Sequence, residues 1–151
     1  MEIKHGNILS VDQGIIVHQV NTLGVMGAGL ALQIKEKYPI AFKDYKEMSE
    51  YYGNDPKYLM GKTLISDATQ GIYIAHLFAQ SSIGRGALRT DYKAFEDGLL
   101  ELQGHIVRFG LSHLPIYFPY KIGCGLGGGD WGGVIKPLIN KHFPKATIVK
   151  L

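Results

Sequence analysis

Read for its alternation of apolar and polar positions, the chain opens with Ile3-Lys4-His5, which predicts an edge strand from Ile3 to Leu9 turning at Gly6-Asn7. Gly14-Ile-Ile-Val-His-Gln-Val20 is an almost unbroken apolar run rich in β-branched residues, the pattern of a strand covered on both faces. Apolar residues recur at helical spacing from Leu30 to Lys37, and Pro39 stops that helix. A second helix is expected from Ala41 to Tyr52, closed by the turn signal Gly53-Asn54-Asp55-Pro56. Two strands follow, Thr63 to Ile65 and Gly71 to Phe78, around a polar turn between Asp67 and Gln70. The stretch from Ser81 to Arg89 reads as a loop, and Thr90 as the cap of a helix from Asp91 to about Phe109. That helix carries Phe95, Leu99, Leu102 and Ile106 on one face. A short strand from Leu114 to Phe118, a helix opened by Asp130 and running to about His142, and a strand from Ala146 to Leu151 complete the chain.

The resulting order, β-β-α-α-β-β-α-β-α-β, has no internal repeat and no linker, so residues 1–151 are expected to form one domain. Helices alternating with apolar strands imply an α/β sandwich around a mostly parallel sheet, with ligands bound at the carboxyl ends of the strands. A chain of this length buries about two-thirds of its unfolded surface.

Composition changes that picture at one point. There are 20 glycines, and they cluster: Gly24, Gly27 and Gly29 in one group, Gly123, Gly125 and Gly127 to Gly129 in another. Each group lies between a strand-like and a helix-like run, where glycine admits positive φ and lets a ligand approach the main chain. The net charge of +3 is dispersed; the densest cluster, from Lys35 to Lys46, mixes lysines with Glu36 and Asp44. No basic stripe marks a duplex-binding protein. One cysteine, Cys124, excludes an internal disulfide framework and suits a reducing cytoplasm, the expected location. No apolar run reaches the roughly 20 residues that span a bilayer, and no signal-peptide core opens the chain.

The first constellation is His18-Gln-Val-Asn21-Thr-Leu-Gly24-Val-Met-Gly27-Ala-Gly29-Leu-Ala. A strand ending at Asn21, a glycine loop and a helix start provide main-chain N–H groups and a helix dipole, which together hold an anion. The second is Pro119-Tyr-Lys-Ile-Gly123-Cys-Gly125-Leu-Gly127-Gly-Gly-Asp130-Trp131, again strand, glycines, helix. Two such loops converging would grip a diphosphate from both sides. Neither is followed by Gly-Lys-Ser/Thr, which argues against a nucleotide-triphosphatase loop. The first follows the second strand with no acidic residue ending a later strand at the usual distance, which argues against a dinucleotide fold.

Through Val20-Asn21, Gly24 to Ala31 and Ile122 to Trp131, the chain resembles the macrodomain family over essentially its whole length. Within it, the chain looks most like the branch of ADP-ribose 1''-phosphate phosphatases and terminal ADP-ribose glycohydrolases. The resemblance implies a three-layer α/β/α sandwich around a mixed, mainly parallel six-stranded sheet. It implies that Asn21 bonds the distal ribose and that Gly24, Val25, Met26, Gly27, Ala28 and Gly29 line the distal ribose and diphosphate. Gly123, Cys124, Gly125, Leu126, Gly127 and Gly128 correspond to the loop clasping the phosphates. Asn7 stands where many members have an aspartate that accepts from adenine, and Ile8 would offer its backbone to the ring. Gln80 falls where the glycohydrolases have a lysine able to form a Schiff base, and glutamine cannot form an imine.

His18 matches a histidine of the phosphatase-like members; with a pKa in the useful range its ring would polarise a terminal phosphate or move a proton. The other reading is a buried strand histidine bonded to backbone. Asp130 either activates a water or caps its helix. Cys124 is a conceivable nucleophile or a small residue in a tight turn, Trp131 core or an adenine stacker, and Arg85 and Arg89 terminal-phosphate ligands or solvated loop. His5, His76, His105, His113 and His142 show no metal-ligand spacing. No metal and no cofactor are expected.

The expected activity is metal-independent hydrolysis of ADP-ribose 1''-phosphate, with His18, Asn21 and Asp130 as the candidate catalytic residues. The alternatives are an ADP-ribosyl hydrolase acting on protein or nucleic acid, and a non-catalytic ADP-ribose binder. Expected partners are ADP-ribose or its 1''-phosphate, ADP-ribosylated macromolecules, and no membrane; a monomer is expected.

Overall fold

The structure is a computed structural model that describes residues 1–81, 90–125 and 128–151. Six strands, β1 (Glu2–His5), β2 (Gly14–Asn21), β3 (Thr63–Asp67), β4 (Ile72–Gln80), β5 (Ile116–Pro119) and β6 (Thr147–Lys150), form one sheet in the order β1-β6-β5-β2-β4-β3. Every neighbouring pair is parallel except β3–β4. The helices are α1 (Gly29–Lys37), α2 (Pro39–Tyr51), α3 (Pro56–Leu59), α4 (Tyr92–Arg108) and α5 (Lys136–His142). This is the mixed, mainly parallel six-stranded sandwich expected from the sequence.

β2 is the central strand, and the β-branched run that forms it serves both layers. Ile15 and Val17 pack with Phe95, Leu99, Leu102 and Ile106 of α4 and with Ile139 of α5. Ile16 packs with Ile34 of α1 and Ala41 of α2, and Val20 with Met26, Tyr45, Leu59 and Phe78. Burial of one such Leu, Ile or Phe side chain stabilises by about 1.5–3 kcal/mol.

Several boundaries differ from the sequence reading, each for a local reason. β1 stops at His5, because Asn7 turns the chain by capping a 3-10 turn over Ile8–Ser10. Pro39 both ends α1 and opens α2, since a missing N–H costs nothing in a first helical turn. The turn signal at residues 53–56 continues into α3, which Asp55 caps through Lys57 N. Thr90 does not cap α4. Asp91 does, accepting from Ala94 N at 3.0 Å, while Thr90 is buried and bonded elsewhere. The last helix begins with a π turn, Trp131–Ile135, capped by Asp130.

β2 and β5 are adjacent and parallel, so the loops that leave their carboxyl ends emerge at the same end of the sheet. The chain leaves β2 toward β3 and β4, and leaves β5 toward β6, which opens a crevice between the two loops. No helix among the described residues is long and apolar enough to cross a membrane.

Candidate functional site

The crevice is a cavity of about 510 Å³. Its walls are the end of β2, the first loop with the start of α1, the last residue of β4 and the second loop. Of the residues singled out from the sequence, His18, Asn21, Val25, Gly27, Ala28, Gly29, Gln80, Gly123 and Gly125 line it. A second cavity of about 300 Å³, lined by Asn7 and Ile8 among others, shares Leu30, Pro119 and Tyr120 with the first. The two cavities therefore adjoin at these three residues, with His18 in the lining of one and Asn7 in that of the other.

The α1 side of the first cavity is open to an anion. Ala28 holds the N-cap position in an extended conformation, and no side chain caps the helix. The N–H groups of the first turn, on Gly29, Leu30 and Ala31, belong to residues that line the cavity. Uncapped donors and the positive end of the helix dipole together favour a phosphate there.

Asn21 is fixed before any ligand arrives. Its Nδ2 donates to Val25 O at 2.9 Å, and its Oδ1 accepts from Leu23 N at 2.9 Å and from the Tyr45 hydroxyl at 2.7 Å. Tyr45 also accepts from Val25 N at 3.1 Å, so one buried phenol ties the end of β2 to the loop. Burial raises the Tyr45 pKa to about 12, so the hydroxyl keeps its proton and the bond. Val25 O takes one of the two Nδ2 hydrogens of Asn21, and Asn21 lines the cavity.

The second loop is braced from beneath. Gln19 Nε2 donates to Gln80 Oε1 at 3.1 Å and to Thr90 Oγ1 at 2.9 Å, and Thr90 Oγ1 donates to Gly123 O at 2.8 Å. Gly123 has φ +75°, and a Cβ there would lie 2.8 Å from Gln19 Oε1. Gly129 N donates to Gly123 O at 2.8 Å and Gly128 N to Gly125 O at 3.1 Å, closing the loop on itself.

His18 lies at the floor of the cavity and is 2% exposed. Burial drives its pKa down to about 3, which corrects the expectation of a value in the useful range near neutrality. Its Nε2 meets His76 Nδ1 at 2.7 Å, not a backbone group.

Other expected residues lie outside the first cavity. Gly24 faces Asn54 and Lys46, and Met26 is core, packed with Val20, Tyr45, Leu59 and Phe78. The Cys124 thiol donates to Ile122 O at 3.3 Å. Burial first, and the Asp130 carboxylate second, push its pKa up, which argues against a nucleophilic thiolate. Asp130 accepts from Gly133 N at 2.9 Å as a helix cap. Trp131 packs edge-on against Tyr120 and onto the main core. Asn7 spends one Oδ1 lone pair on Leu9 N. Leu126, Gly127, Arg85 and Arg89 lie outside the described residues.

The sequence alone assigns no role at this site to Gln19, Tyr45, His76, Thr90 or Lys121. Lys121 lines the cavity with φ +59°, uncommon for a residue bearing a Cβ, and it brings an amine to the second loop. That lysine stands inside the quoted motif and had a signal. The others are brought to the site by sheet register, which has none.

No protein-family model matches the chain. It is 28% identical over 137 residues to a DNA ADP-ribosyl glycohydrolase of Mycobacterium tuberculosis, covering 89% of this chain and 36% of that protein. It is 38% identical over 80 residues to an ADP-ribose 1''-phosphate phosphatase of Saccharomyces cerevisiae, covering 50% of this chain and 44% of that protein. The chain thus spans less than half the length of either relative. Among solved structures it resembles the macrodomain of Mycobacterium tuberculosis DarG, with a TM-score of 0.78 and 26% identity over 98% of this chain and 96% of that one.

Proposed function

Since the chain belongs to the macrodomain family, we propose that its adjoining cavities bind ADP-ribose and that the protein hydrolyses ADP-ribose 1''-phosphate to ADP-ribose and phosphate. The observation that carries this reading is the uncapped start of α1 lining the same cavity as the glycine loop after β5, with a second cavity adjoining it. A diphosphate spans the two loops, an adenosine extends toward Asn7 and Ile8, and the distal ribose lies toward Asn21 and His18. Asn21 offers an Nδ2 hydrogen to a ribose hydroxyl, and it needs little reorganisation because Tyr45 already fixes it. Lys121 adds a positive charge on the phosphate side, its Nζ lying 5.5 Å from the Tyr120 ring centroid.

Two features favour the phosphatase chemistry over glycosidic cleavage. Its curated relative has the higher identity, and Gln80, not an amine, ends β4 opposite Asn21. The second reading, removal of ADP-ribose from a macromolecule, draws on the glycohydrolase relative, whose match covers more of this chain. His18 enters either reaction as a neutral ring, because burial holds its pKa near 3.

The deciding experiment follows phosphate release from ADP-ribose 1''-phosphate in EDTA, with Asn21→Ala and His18→Ala beside the wild type. Release that falls at least about 100-fold in both variants supports the phosphatase reading. Calorimetric ADP-ribose binding with no release sinks it. ADP-ribosylated DNA and protein then test the second reading.

A further inference from the structure

The two cavities share a wall at Tyr120, and each has one lysine in its lining. Lys121 lines the first cavity and Lys150 the second. Their ammonium groups lie 5.5 Å and 4.5 Å from the centroid of the same Tyr120 ring. Sheet register brings ring and amine together. Tyr120 follows the last residue of β5, its N–H donates to Val149 O at 2.9 Å, and Lys150 is the last residue of β6. Apart from these two lysines no lining side chain of either cavity carries a charge, since burial keeps the His18 ring neutral.

What holds Lys150 in place does not neutralise it. A carboxylate partner would cancel much of the charge that a ligand could meet, but among the described residues no carboxylate lies within 4.0 Å of its Nζ. The Tyr120 ring attracts the ammonium through its quadrupole, which steadies a flexible stem and leaves the charge and the N–H donors available. Lys121 has an anion to meet, because a diphosphate spanning the two loops lies in its cavity. Lys150 has none in ADP-ribose itself. An adenosine extending toward Asn7 and Ile8 brings no charge into the second cavity, so the cation there is left without a counterpart.

We propose that Lys150 is a specificity residue that selects ligands bearing an additional phosphate on the adenosine ribose, as a 2'- or 3'-monoester, over plain ADP-ribose. The ammonium donates to the oxygens of that phosphate, and Lys150 is exposed, so the phosphate keeps part of its hydration and the desolvation cost is small. This deepens the ADP-ribose reading and rests on it for the placement of adenosine in the second cavity.

The test is calorimetry on the full chain with ADP-ribose and with ADP-ribose phosphorylated at the adenosine 2' position. Adenosine 2',5'-bisphosphate and 3',5'-bisphosphate, each referred to adenosine 5'-phosphate, tell which hydroxyl carries the recognised group. In the wild type the added phosphate, at one of the two positions, should tighten binding about five- to tenfold. The gain should shrink as ionic strength rises. Lys150→Gln should reduce it to within about twofold, while Lys150→Arg should keep it. Lys57→Gln removes the same charge on α3, outside both linings, and should also keep it. Equal affinity with and without the phosphate at both positions in the wild type overturns the proposal. So does a gain that survives Lys150→Gln, or one that Lys57→Gln erases as fully. ADP-ribose binding without any gain ends the proposal and leaves the functional reading standing. A Lys150-dependent gain for a bisphosphate, with no binding of ADP-ribose, does the reverse.

Discussion

The two glycine loops look alike in sequence, each a strand running through glycines into a helix, yet they are built to opposite ends. The first leads into a helix with no side-chain cap, so its donors are free for a ligand. The second spends donors on its own closure, through Gly128 and Gly129, and Asp130 caps the helix that follows. Their supports differ as well. Beneath the first loop lie the aromatic rings of Tyr45, Phe78 and His76, and beneath the second a polar chain of Gln80, Gln19 and Thr90. Similar motifs therefore divide the work, one offering hydrogen bonds and the other holding a shape.

Acid should separate them most. His18 and His76 sit neutral under the first loop, with pKa values lowered by burial, and in the unfolded chain each returns to about 6.5. Their neutral burial is compatible with full stability above that value. Below it the unfolded chain binds the extra protons, so stability falls as pH drops from about 6.5 toward the folded value, near 3 for His18. Each histidine contributes about 1.4 kcal/mol per pH unit in that window. Urea midpoints measured from pH 7 to pH 4.5 should drop steeply, and hydrogen exchange should show β2, β4 and the first loop opening before α5. A flat profile would mean that the pair is not held neutral.

Substitution at the second loop comes next. Gly123→Ala combines a positive φ with a Cβ 2.8 Å from Gln19 Oε1, so both the backbone and its brace must move. It should cost about 2–4 kcal/mol and abolish ADP-ribose binding. At the first loop Gly29→Ala meets nothing within 4 Å, although φ is +57°. Its cost should be the conformational one alone, about 1 kcal/mol. Equal losses in urea denaturation would erase the distinction between a braced loop and an open one.

What the sequence made legible follows the same division. Periodicity placed all six strands and the four longer helices, because β2 and α4 carry their burial in local patterns such as Ile15 to Val17 and Phe95 to Ile106. The glycine loops were legible because glycine at a strand–helix junction has few other reasons to be there. Hidden were the partners set by register: His76 beside His18, and Gln80 opposite Asn21, contacts about 60 residues apart in sequence. The lowered pKa of His18 is hidden for the same reason, since one strand does not show what covers it. Thr90 reads as a cap because two capping residues stand side by side, and only packing assigns Asp91 to the helix and Thr90 to Gly123.

A smaller effect is expected under the first loop. Tyr45→Phe keeps the stacked ring and removes the hydroxyl shared by Asn21 and Val25 N. Leaving those groups short of a partner should cost about 1–3 kcal/mol. ADP-ribose should bind several-fold more weakly, because Asn21 is then ordered only at the expense of binding energy. Unchanged affinity with lowered stability would show that Asn21 does not meet the ligand.

The smallest effect, and the sharpest contrast, belongs to Asp130. Its carboxylate accepts from Gly133 N and stands outside the first cavity's lining, so Asp130→Ala should cost a cap, about 0.5–2 kcal/mol. Asp130→Asn should recover most of that, since an amide oxygen caps as well. Phosphate release from ADP-ribose 1''-phosphate should stay within about threefold of wild type in the asparagine variant, once stability is matched by temperature. An activating carboxylate behaves otherwise: asparagine cannot take a proton from water, so turnover would collapse while the fold stood. Activity in the asparagine variant therefore tells whether the second loop only holds its shape or also takes part in the chemistry.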